Sequence, residues 1–220
     1  MLNKLKIYSL FALEDFEFAN FINRFEFPWE ILPNIKKFFN EFNLKNNKNY
    51  TEIEEGIFIG KNVKISKNAT LIPPVVIGEN TEIRPGAYIR GNVIIGKNCV
   101  IGNSTELKNC VLLNYVQVPH YNYVGDSVLG NHSHLGAGVI CSNLKSDGKN
   151  VVIRGEENYE TNLRKLGAIL GDYVEVGCNS VLNPGTIIGK GTRVYPLTSL
   201  RGVYEENKIV KDTNKVVEKN

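Results

Sequence analysis

The chain predicts an all-β fold, a parallel β-helix carrying a small helical cap at its N-terminus, on three observations. Large aliphatic residues recur at every sixth position through Ile59, Ile65, Leu71, Ile77, Ile83, Ile89, Ile95, Ile101, Leu107 and Leu113. The fifth position of the same unit is small or β-branched (Val63, Ala69, Val75, Thr81, Ala87, Val93, Cys99, Thr105, Val111), and Gly often follows the aliphatic one, as at Gly60, Gly78 and Gly96. Nine of the ten Phe and the single Trp, Trp29, lie in the first 50 residues. A period of six fits neither the 3.6 of a helix nor the 2 of a strand. It fits a coil with one hexad per side and about 18 residues per turn. The aliphatic residue fills the interior, and Gly or Asn turns each corner at positive φ. A single coil cannot bury its flat faces, so the stack must do so collectively.

Residues 1–50 read as the cap. Ile31, Ile35, Phe38, Phe39 and Phe42 form one helical stripe with Lys36, Lys37 and Glu41 off it. Pro33 sits near the start of that helix, where it is tolerated. Residues 15–24 are a second helical segment, and the Asn-rich stretch 43–51 is a linker. The cap is expected to cover the blunt end of the stack or a neighbouring subunit. The β-helix domain spans 51–205. Its register fails where Pro119 and Gly125 take the aliphatic places, then resumes at Leu129 and Leu135 and again from Leu170 to Leu200. The failing stretch, VQVPHYNYVG (116–125), has His120 at its centre, which suggests that the repeat is scaffold and the interruption is the site. Residues 142–166 are polar and rich in Lys and Arg; they predict a loop excursion, and loops on a rigid scaffold carry function. Residues 206–220 form a charged tail with a short strand at 208–211.

Composition narrows the function. A net charge of +3 over 220 residues is too mild to argue for nucleic acid. No apolar run approaches the roughly 20 residues needed to cross a membrane. The N-terminus makes a poor signal peptide, so a cytoplasmic location is expected. Cys99, Cys110, Cys141 and Cys178 lack metal-like spacing and read as reduced thiols.

Five motifs add a resemblance: IRPGAYIRG (83–91), GNSTELKNC (102–110), VPHYNYVGDSVLG (118–130), HLGAGVICSNLKSDGKN (134–150) and LRKLGAILGDYVEVGCNSVLNPGTIIG (163–189). Together they resemble the acetyltransferase domain of the bifunctional glucosamine-1-phosphate acetyltransferase/UDP-N-acetylglucosamine pyrophosphorylases, hexapeptide-repeat acyltransferases. The C-terminal domains of archaeal sugar-1-phosphate nucleotidylyltransferases are similar. No Gly-rich opening of the pyrophosphorylase half is seen. The resemblance implies a left-handed β-helix and a homotrimer with sites between neighbours. It implies acetyl-CoA as co-substrate, no metal, and an amino-sugar phosphate or nucleotide sugar as acceptor.

Residue by residue, the resemblance places His120 as the general base, a role an imidazole can fill near neutrality. A turn histidine bonded locally is the plainer reading. Tyr123 matches a sugar-contacting tyrosine, and Arg84 and Lys108 match cations that hold the sugar phosphate. Asn143 and Lys149 match further acceptor contacts, and His134 stands where the family has a sugar-contacting Asn. Ala137 matches a position whose backbone amide faces the thioester, and Cys178 stands in place of a coenzyme-contacting Ser. Arg164 and Lys165, with Lys190, could serve the coenzyme phosphates or simply be solvated. Leu144 departs from the family's Tyr.

Two other functions fit the same fold. A non-catalytic sugar-nucleotide-binding or scaffolding subunit would retain the shape with a decayed site. A γ-class carbonic anhydrase would need three His converging on one metal, and His120, His132 and His134 do not have its spacing.

Overall fold

In a computed structural model, which describes residues 2–155 and 157–219, the six-residue period closes into a three-sided β-helix. Sheet A runs in parallel from Ile57–Gly60 through Val75–Ile77, Val93–Ile95, Cys110–Leu112, Val128–Leu129, Ala168–Leu170 and Thr186–Ile188 to Val203–Tyr204. Sheet B contains Glu82–Ile83, Val100–Asn103, Gln117–His120, His134–Leu135 and Glu175–Val176; sheet C contains Tyr88–Ile89, Glu106–Lys108, Tyr123–Gly125, Ile140–Cys141 and Val181–Leu182. The aliphatic residue of each hexad points inward, so Ile77, Ile83 and Ile89 of one coil lie beneath Ile95, Ile101 and Leu107 of the next, all fully buried or nearly so.

The register changes earlier than the sequence suggests, and it changes without interruption. Leu112, not Leu113, pairs with Ile95 below and Leu129 above. The side from Leu107 to Leu112 is therefore one residue short, and the following interior residues are Val118 and Val124. Pro119 and Gly125 stand next to inward residues rather than in their places. His120 accordingly ends a regular strand of sheet B, paired with Asn103, and the stack runs straight through it.

The cap does not sit on the end of the stack. Its short helices, including Ile7–Leu10, Ala19–Ile22 and Ile35–Glu41, lie along the outer face of sheet A. On sheet A the residue before each inward one points outward: Phe58, Val76, Ile94, Val111, Val128, Ile169 and Ile187 are buried in one cluster with the cap's Phe and Ile side chains, and the part-buried Val203 packs against it. Burying each such side chain contributes about 1.5–3 kcal/mol. Polar bonds fix the cap along the corner between sheets A and B: Asn114 Nδ2 donates to the Asp15 carbonyl at 3.0 Å, Asn131 Nδ2 to that of Ala12 at 2.7 Å, and the Ala12 amide to Asp172 Oδ2 at 2.7 Å. The long helix expected over 31–42 shortens to Ile35–Glu41, because Pro33 falls in a separate turn, Leu32–Asn34.

The excursion leaves the corner between sheets C and A after Cys141 and returns at Ala168. It is less polar in space than in sequence. Its hairpin, Val152–Arg154 with Asn158–Glu160, folds back so that Val151, Ile153 and Leu166 are buried in the cap's cluster. The charged tail is also ordered: Lys208–Asp212 extends sheet B in parallel and Lys215–Glu218 returns antiparallel to it. Among the described residues no helix is long and apolar enough to cross a membrane.

Candidate functional site

Two groups of side chains stand out, one along the corner between sheets B and C and the other on sheet C, reaching toward its corner with sheet A. The first is a column along the corner itself. Stacked strands place Asn103, His120, Ala137 and Cys178 one above another on successive coils, about 4.8 Å apart. The His120 carbonyl accepts from the Gly138 amide at 3.1 Å, and the Ala137 carbonyl from the Asn179 amide at 2.8 Å. The His120 imidazole is exposed, and no hydrogen bond or ion pair from the described residues occupies it. The amides of Ala137 and Cys178 likewise find no acceptor among the described residues, so two N–H groups in the column remain for a ligand. Gly136 is needed for this stacking, since a Cβ there would lie 2.7 Å from the Cys178 nitrogen.

The second group lies on sheet C and the base of the excursion. Asp126 is only 4 % exposed. Its Oδ2 accepts from Lys108 Nζ at 3.2 Å and Asn143 Nδ2 at 2.5 Å, and its Oδ1 from Asn109 Nδ2 at 2.8 Å. The same Asn143 amide donates to Tyr123 Oη at 3.1 Å. Tyr123 and Asn143 lean over Gly125, where a Cβ would come within 2.5 Å of the Tyr123 hydroxyl, so only glycine permits the contact. Burial pushes the Tyr123 hydroxyl above the usual tyrosine range, and the nearby charges of Asp126 and Glu106 act in the same direction. Both effects favour the neutral phenol.

The other expected residues are more dispersed. Arg84 and His134 lie on the outer face of sheet B, half-buried, with Arg84 held 3.4 Å from Glu82. Lys149, Arg164 and Lys165 are exposed on the excursion and make no hydrogen bond or ion pair with the Asp126 cluster. Lys190 lies at the far corner, 3.9 Å from Asp172. His132 is stacked between Tyr115 and Tyr173, with ring centroids 4.4 and 4.8 Å away, at the corner between sheets A and B. The three histidines therefore occupy three separate places within the chain. A groove of about 310 Å³ opens between the cap and the corner of sheets A and B, lined by Asp15, Glu17, Lys48, Lys61 and Lys97, with no wall from either functional group.

Sequence reasoning found Lys108, Tyr123 and Asn143 but missed the carboxylate that joins them. Asn109, Asp126 and Asn143 are spaced 17 residues apart, the local coil length, and that spacing was the available signal.

Comparisons with known proteins agree with this architecture. Residues 71–188 match the GMPPB C-terminal domain. The "Bifunctional protein GlmU" of Methanococcus maripaludis is 36% identical over 188 residues, covering 83% of this chain and 45% of that protein. A "Bifunctional sugar-1-phosphate nucleotidylyltransferase/acetyltransferase" from Sulfurisphaera tokodaii is 39% identical over 97 residues, 44% of this chain and 24% of the other. The "Putative uncharacterized acetyltransferase YaiX" of Escherichia coli is 34% identical over 141 residues, 64% of this chain and 61% of that one. The chain spans less than half the length of the bifunctional relatives. Since the matched segment takes in more than half of its residues, the chain belongs to the GMPPB C-terminal domain family, among the hexapeptide-repeat β-helices.

Proposed function

We propose that this protein is an acyltransferase that moves an acetyl group from acetyl-CoA to the amino group of a sugar phosphate or nucleotide-linked sugar. The observation that carries the proposal is the corner column: an imidazole, His120, one coil below an amide N–H, Ala137, neither of which has a partner among the described residues. In this reading the acceptor amine attacks the thioester carbonyl, and His120 takes the proton the nitrogen must lose. The Ala137 amide donates to the oxyanion of the tetrahedral intermediate. The C–S bond then breaks as the amide forms, and the proton passes from His120 to the departing thiolate. Cys178, exposed one coil further along, lies on the path of the pantetheine arm. Lys108 and Arg84 supply charge for a phosphate, and Tyr123 and Asn143 supply directional bonds to a sugar.

These groups also favour a site completed by a second copy. Arg84 and His134 face outward from sheet B, and Lys108 and Tyr123 from sheet C. The corner between the sheets is convex, so the two sets point apart. They converge on one ligand only if sheet B of one copy faces sheet C of another, as in a cyclic trimer. The cap covers sheet A, which leaves sheets B and C for such contacts.

The test is release of free CoA from acetyl-CoA with glucosamine-1-phosphate and a panel of amino sugars and UDP-amino sugars, wild type beside His120→Ala. Turnover with one acceptor is expected, falling by about 10²-fold or more in the mutant. The replacement of a family Asn by His134 and of a Tyr by Leu144 favours the alternative, a non-catalytic sugar-nucleotide-binding subunit. That alternative takes over if wild type and mutant are equally silent while the protein binds a UDP-amino sugar.

A further inference from the structure

Asn122 is a polar side chain turned into the coil interior and 2 % exposed. The equivalent interior position holds Thr105 one coil below and Val139 one coil above. Asn122 makes bonds in two directions. Its Oδ1 accepts from the His120 backbone amide at 3.2 Å, and its Nδ2 donates to the Gly136 carbonyl at 2.8 Å. The Gly136 carbonyl and the Ala137 amide belong to the same planar peptide unit. Holding the oxygen inward therefore aims the Ala137 N–H outward, toward the space beside His120.

Interior hydroxyls make a related bond elsewhere in the stack: Thr105 Oγ1 donates to the Val118 carbonyl at 2.9 Å and Ser180 Oγ to the Tyr195 carbonyl at 3.1 Å. Asn122 differs in what it joins. One end holds the residue that carries the imidazole, and the other holds the peptide that carries the free amide. We infer that Asn122 is a positioning residue, a buried bridge that fixes the distance and tilt between the base at His120 and the oxyanion donor at Ala137. This inference rests on the acetyl-transfer reading of the corner. Asn122 never touches the substrate. Its effect falls on the transition state, because the oxyanion exists only there.

Two substitutions separate this role from mere packing. Asn122→Val removes both bonds while leaving a side chain of the kind that Val139 shows to fit the next coil. Asn122→Thr restores a donor of the kind Thr105 uses. The measurement is steady-state kinetics with the acceptor that wild type turns over, together with the melting temperature and oligomeric state of each variant. Asn122→Val is expected to lower kcat by about tenfold or more, with both KM values within about twofold of wild type. Asn122→Thr should recover most of the lost kcat. A packing role would reduce the folded fraction and leave kcat per folded molecule unchanged, and that result overturns the inference. Equal kcat in all three proteins, or equal loss in both variants, overturns it as well while leaving the acetyl-transfer reading intact. Silence of wild type toward every acceptor removes that reading and the inference with it.

Discussion

Asp126 accepts from Lys108, Asn109 and Asn143, and through Asn143 it sets the Tyr123 hydroxyl. A carboxylate so deeply buried is stable only when its oxygens are bonded, and three donors from the coils below and above it meet that need. If the cluster holds the acceptor, Asp126→Ala should raise the acceptor KM by about tenfold while leaving the acetyl-CoA KM unchanged. It should also destabilise the fold by about 1–3 kcal/mol through the donors left unpaired. Steady-state kinetics with each substrate varied in turn, beside thermal denaturation, would check both. An equal rise in the two KM values would rule out an acceptor-specific role. The residues expected to contact ligands were legible because short motifs carry them. Asp126 and Asn122 were not, because each bonds a group a whole coil away, Asn143 for the first and the Gly136 carbonyl for the second, and these become neighbours only after the coils stack.

At the scale of elements, the hexad period revealed the coil but not what lies against its sides. The interior residue repeats on all three sheets, whereas a fully covered outward apolar residue runs along sheet A, through Phe58, Val76, Ile94 and Val111. In the sequence this shows as runs such as VVI (75–77) and VII (93–95), where one apolar residue per hexad would suffice. Uninterrupted apolar strands are those buried on both faces, so the flank that receives the cap was written in the chain. The six-residue rule also hid the short side between Leu107 and Leu112, since a one-residue slip moves the interior role to the neighbouring residue. Ile94→Ala is therefore expected to cost about 2–5 kcal/mol, as an interior isoleucine would. Ile72→Ala, at a residue 41% exposed on another side of the stack, should change stability by no more than about 0.5 kcal/mol. Denaturant titration of both variants would measure the contrast; similar small losses would mean that the cap is only loosely held to sheet A.

For the whole molecule, if the proposed acceptor residues act on one ligand, their division between two faces of a convex corner makes a demand that a single chain cannot meet. The cap and the returning excursion cover sheet A, and the coils stack along the axis, so sheets B and C are the long faces left for a partner. In a cyclic trimer each interface brings sheet B of one copy against sheet C of the next, and each site draws Arg84 from the first and Asn143 from the second. Arg84→Ala and Asn143→Ala should each abolish most activity as pure proteins. Unfolded together and refolded as an equal mixture, they should recover about a quarter of wild-type activity, because random assembly leaves about one interface in four with both residues intact. A site contained within one chain stays dead in every mixture. Activity of the co-refolded sample, measured beside the two mutants refolded separately, decides between them. Recovery would fix the site between copies and assign its two faces, and persistent inactivity would return the acceptor site to the surface of a single β-helix.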